Sequence, residues 1–152
     1  MRLYRAIAFA FAVIFAAVGV MFLAAPGEVR ALFDQVGIGA ASPGMTAADV
    51  DSGLFRALAV AYMYLVALLA WMMFRRPTEP VWPTLLANAK LASATVSFVL
   101  FVAHRPYLVY PVNGVVDGLI GATALLLRRR AIRWRDEAGS REAEHEHPAV
   151  PA

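Results

Sequence analysis

Four long apolar runs separated by short polar or basic stretches set the pattern of this chain: 6–25, 54–74, 83–103 and 111–127. Each approaches the ~20 residues that a helix needs to cross a hydrocarbon layer about 30 Å thick. The pattern predicts an all-α polytopic membrane protein, a four-transmembrane-helix bundle. The first run is uncharged and follows Arg2 and Arg5. It is too long for the apolar core of a signal peptide, and Leu23 is a poor residue before a cleavage point at Ala25, so it reads as a retained helix.

Between the first two runs, Val29, Leu32, Phe33 and Val36 recur at i, i+3, i+4 and i+7 among Glu28, Arg30, Asp34 and Gln35. That spacing predicts a short interfacial amphipathic helix after the first span. Gly39 to Gly44 is a link, and Thr46 with Asp49 has the spacing of a capping box for the next helix. In the turn RRPTEPVWP, Pro83 suits the first helical position, where a missing amide proton costs nothing. From Asp136 to Ala152 large apolar residues almost vanish. A transmembrane domain over 1–135 and a disordered tail over 136–152 are therefore expected.

Composition agrees with this layout: 61% of residues are hydrophobic, against about 45 to 50% in soluble domains. The net charge of +3 does not point to nucleic acid, because the arginines flank apolar spans. Arg and Lys number two before the first span, one in the first loop, two in the second, one in the third and five over 128–135. By the positive-inside rule both termini and the second loop are expected on the cytoplasmic side. The chain has no cysteine, so disulfides and thiolate metal sites are excluded. His145 and His147, in the acidic tail, are not read as a metal site.

The chemistry, if there is any, lies in polar residues inside the spans. Ionisable groups there are costly and face protein or water, which marks Arg56, Lys90 and Asp117 as site candidates. In the fourth span Asn113, Asp117 and Gly121 follow at i, i+4 and i+8, with Gly114 and Gly118 as a GxxxG pair beside them. Small residues allow close helix approach in lipid, so these glycines are expected to pack a helix and carry Asp117 inward. In the third span Lys90, Ser93, Ala94 and Ser97 share a face, while Asn88 and Thr95 point the other way. Depth measured from the basic ends puts Lys90 at about 10 Å, Asp117 at about 15 Å and Arg56 at about 27 Å, which favours Lys90 as the partner of Asp117. Measured from the opposite ends, Arg56 is about 3 Å deep, Asp117 about 9 Å and Lys90 about 20 Å, which favours Arg56. Helical side chains lean toward their own N-terminus, taking Asp117 and Lys90 apart. The balance falls to Arg56, with Lys90 the alternative. The tyrosines and tryptophans, Tyr62, Tyr64 and Trp71 among them, read as interfacial belts.

The stretches AAPGEVRALF, GLFRALAVAY and VDGLIGATALLLRR, set in four spans, resemble the DoxX-like and related small bacterial four-helix membrane proteins. The resemblance lies in layout and covers most of the chain. It implies a multi-pass protein of the bacterial inner membrane and a small accessory subunit or binder of a lipid-phase ligand, lipid or quinone. No resident cofactor is expected.

Two functions follow from the polar residues. One is an accessory or partner-binding subunit, or an amphiphile binder, with Arg56, Asn88, Lys90, Asn113 and Asp117 as the intramembrane site. Membrane lipids, a membrane protein or a second copy would be its partners. The other is a homo-oligomeric proton-coupled transporter or channel in which Asp117 cycles its proton. An enzyme is disfavoured, because no nucleophile stands with a base and an orienting group.

Overall fold

The computed structural model describes residues 1–25, 27–28, 53–103 and 109–146, with only the backbone course described for 53–56 and 141–146. Four helices carry the fold: α1 (Arg2–Ala24), α2 (Gly53–Arg75), α3 (Val81–Ala103) and α4 (Val109–Glu146). There is no strand among the described residues. All four helices are long and apolar enough to cross a membrane, and the chain is a multi-pass membrane protein. Its outer faces agree: Val102 is 85% and Leu119 65% exposed, a surface that hydrocarbon accepts and water penalises.

Consecutive helices run antiparallel. Along α1 and α2, the Phe9 and Phe74 rings meet at 5.6 Å, and a Cβ on Gly19 would lie 3.1 Å from the Met63 Cβ. The α1 face that turns inward is Tyr4, Ala8, Ala12, Phe15 and Gly19. Its spacing of three and four keeps one stripe in contact, and its small residues bring the backbones close. Along α3 and α4 three polar rungs fix the register: Thr84 with Arg128, Lys90 with Asp117 and Ser97 with Asn113. The two hairpin-like pairs then share a core that includes Val66, Met73, Leu86, Ala124 and Leu127.

The 76–80 turn joins α2 to α3. Arg76 pairs with Glu79 at 3.2 Å, and the Trp82 indole N–H donates to the other Glu79 oxygen at 2.7 Å. The Thr84 hydroxyl donates to the Pro80 carbonyl at 2.6 Å. This starts α3 at Val81, so Pro83 sits third in the helix rather than first. The first turn has no intrahelical acceptor for its N–H groups, which is why proline still fits there.

Two expected boundaries move. α1 takes in Arg2 and Arg5, because a basic side chain at a helix end reaches past the hydrocarbon without breaking the helix. The tail expected to be disordered from Asp136 is instead helical through Glu146. Lack of apolar residues denies that segment a core, yet Ala, Arg and Glu are strong helix formers and extend a helix already nucleated within the bundle. Residues 147–152 lie outside the described residues, as do the Thr46–Asp49 capping box and nearly all of the predicted interfacial helix, of which Gly27 and Glu28 are helical.

Candidate intramembrane polar site

Lys90 and Asp117 form the centre of the bundle. The Lys90 ammonium donates to Asp117 Oδ1 at 2.9 Å, and the two residues are only 2% and 4% exposed. Each of the other helices closes on this pair. Phe15 of α1 presents its ring face 4.7 Å from the ammonium, and Tyr62 of α2 presents its own at 5.1 Å. Such rings attract a cation through the negative face of their π-system, an effect that grows when water is absent. The Tyr62 hydroxyl donates to the Ala89 carbonyl at 3.1 Å, tying α2 to α3 one residue before the lysine. A lone lysine at mid-span costs about 2.5 to 3.5 kcal/mol to insert. One carboxylate and two aromatic faces offset that cost here.

From the pair a polar strip continues toward the α3–α4 connection. Asn113 donates its amide to the Ser97 hydroxyl at 2.8 Å. Ser97 is buried, whereas Asn113 lies one turn beyond Asp117 on α4 and is exposed. At the opposite, arginine-rich end, Arg128 Nε donates to the Thr84 hydroxyl at 3.0 Å.

The geometry assigns the candidates unequally. Lys90, Asp117 and Asn113 come together on the α3–α4 seam. The partner of Asp117 is thus Lys90, against the balance of the sequence argument. The flexible lysine stem spans a seam made narrow by glycine, so the average lean of helical side chains does not decide the matter. Arg56 belongs to α2, where it precedes Tyr62 by six residues, or ~9 Å along the axis; its side chain lies outside the described residues. Asn88 does not join the site. Two residues from Lys90, and so about 200° around α3, it is exposed on the outside of the bundle.

The glycines also divide. A Cβ on Gly121 would approach Leu91 Cγ to 2.8 Å, and one on Gly114 would approach the Phe98 ring to 2.8 Å, whereas one on Gly118 would meet nothing closer than the Ala94 Cβ at 4.0 Å. The close approach rests on Gly114 and Gly121, seven residues apart, rather than on the Gly114–Gly118 pair. Buried α4 positions at 114, 117, 121 and 124 follow the same three-and-four spacing.

Two contributors escaped the sequence reading. Tyr62 was expected in an interfacial belt, although its mid-span position already set it apart from one. Phe15 carries no distinguishing signal, being one phenylalanine in an apolar helix. Tyr64 and Trp71 face outward and, with Phe9, Ala12, Val13, Ala16, Ala67 and Leu68, line an apolar groove of about 330 Å³ between α1 and α2. Among the described residues no cluster of His, Asp and Glu has metal-binding geometry. No family model, curated protein or solved structure matches the chain.

Proposed function

We propose that this chain is a small accessory subunit of the bacterial inner membrane, with both termini cytoplasmic, that binds an amphiphile, a lipid or a quinone, on the outside of a bundle locked from within. The observation that carries this reading is the α1–α2 groove. It is an open furrow on the lipid-facing side of the bundle, of about 330 Å³, and its walls are apolar side chains, among them the ring of the exposed Tyr64. The polar residues that first marked the site take a different part. Lys90 and Asp117 hold four helices in one register, and a fixed register keeps the two walls of the groove apart at a set distance. Asn88, an amide turned outward from α3, gives a protein partner or a second copy a hydrogen-bonding anchor in lipid. Basic residues gathered at one end of the bundle support the stated orientation.

The test is native mass spectrometry of the protein extracted in mild detergent. The unaltered chain should retain an amphiphile, and Ala16→Phe, which fills the groove, should release it while thermal stability stays within ~1 kcal/mol. Retention undiminished by Ala16→Phe sinks the reading.

The polar strip favours a second reading, a homo-oligomeric proton-coupled transporter. Asn113 and Ser97 lead from the bundle exterior toward the Lys90–Asp117 pair, the kind of buried acid–base pair that proton-coupled proteins use. Reconstituted vesicles under a pH gradient decide it: proton flux abolished by Asp117→Asn, in a chain that remains folded, would support transport, and absence of flux in the unaltered chain would dismiss it.

A further inference from the structure

The groove between α1 and α2 has a chemically distinct end. Successive residues of a helix turn by about 100°, so on α1 the lining residues Phe9, Val13 and Ala16 fall in one stripe that continues outward through Arg5 and Arg2. On α2 the stripe of Tyr64, Leu68 and Trp71 continues in the same direction to Arg75. The Phe9–Phe74 contact at 5.6 Å shows that these ends of the two helices lie side by side. Arg5 and Arg75 are therefore each about one turn, ~6 Å, beyond the last groove residue of their helix. Both are exposed, and among the described residues neither guanidinium has an ion-pair or hydrogen-bond partner. Arg76, by contrast, points off this stripe and is occupied by Glu79.

An apolar groove ~10 Å long, with two guanidinium groups beyond one end that have no partner among the described residues, has the chemistry of an anionic phospholipid turned to match: hydrocarbon along the groove, phosphate at its mouth. We propose that the α1–α2 groove is a site for an anionic phospholipid, with one acyl chain against Ala16, Ala67 and Trp71 and the headgroup phosphate bridged by Arg5 and Arg75. The inference rests on the amphiphile-binding reading above and fixes its ligand class. Guanidinium is suited to the task, because its planar fork can offer two parallel N–H donors to phosphate oxygens. Helical side chains lean toward their own N-terminus, a direction that on α2 runs from Arg75 back toward Trp71 and the groove.

Trp71 lies in the wall and serves as the reporter. In a Trp82→Phe, Trp134→Phe background it is the remaining tryptophan, and its quenching by brominated phosphatidylglycerol or brominated phosphatidylcholine in mixed vesicles measures which lipid occupies the groove. The expected result is stronger quenching by the anionic lipid, a preference that falls about fivefold for each of Arg5→Gln and Arg75→Gln. Ala16→Phe should remove the preference altogether. Equal quenching by the two lipids, with both still reduced by Ala16→Phe, overturns the anionic class while leaving an amphiphile site. Quenching unchanged by Ala16→Phe removes the amphiphile site itself. Native mass spectrometry of the chain with all its tryptophans gives the same comparison without the background substitutions: retained phosphatidylglycerol supports the proposal, and retained phosphatidylcholine in equal amount overturns it.

Discussion

Lys90 and Asp117 bind each other at 2.9 Å in a place where neither is stable alone, so their substitution energies should be strongly non-additive. Removing one partner leaves a buried charge without compensation, which costs about 3 to 5 kcal/mol. Lys90→Met and Asp117→Leu are each expected to destabilise by that much in detergent unfolding, and the double variant should recover most of the loss. A second residue-scale expectation concerns Tyr4, which is fully buried, with a hydroxyl that finds no partner among the described residues and a ring set edge-on to Trp134 at 5.5 Å. Tyr4→Phe keeps the ring contact and deletes the unsatisfied group. It should raise stability by about 1 kcal/mol, read as a higher melting temperature. Sequence reading identified Lys90 and Asp117 because charge in a span is conspicuous. It chose between their partners poorly because depth counted from opposite ends of unequal helices gives opposite answers.

At the scale of the helix, α4 separates two uses of glycine that look identical in a GxxxG pattern. Gly118→Ala should be neutral or mildly stabilising, since the added methyl reaches the Ala94 Cβ only at 4.0 Å and alanine is the better helix former. Gly121→Ala drives a methyl into Leu91 Cγ at 2.8 Å, near the branch of the side chain rather than its free end. A cost of about 1 to 3 kcal/mol is expected, together with weakened Lys90–Asp117 coupling in a double-mutant cycle. Gly114→Ala should fall between them, because Phe98 is partly exposed and its ring can swing away. The apolar runs marked four helices long enough to cross a membrane, since length and apolarity alone define such helices. Hydrophobic periodicity could not tell which of three glycines touches a neighbour, because that depends on the side chain opposite. Nor did it foresee the helix beyond Asp136, where a composition unable to form a core still suits a helix.

At the scale of the whole molecule, α1 lies mainly along α2 and α3 along α4, and the two pairs meet around Lys90, Tyr62 and Phe15. That arrangement bears on how the protein enters the membrane. Asp117 is encoded 27 residues after Lys90, so at about 5 to 20 residues per second a ribosome leaves the lysine without its carboxylate for seconds. Through that interval α3 carries a cation that faces only the Phe15 and Tyr62 rings of α1 and α2, with its carboxylate on a helix not yet made. A chain truncated after Ala103 should therefore show α3 poorly inserted in a translocon-based topology assay, and extension through α4 should restore insertion unless it carries Asp117→Leu. On that outcome the ion pair, before it holds the folded bundle together, is the condition under which α3 and α4 enter the bilayer together.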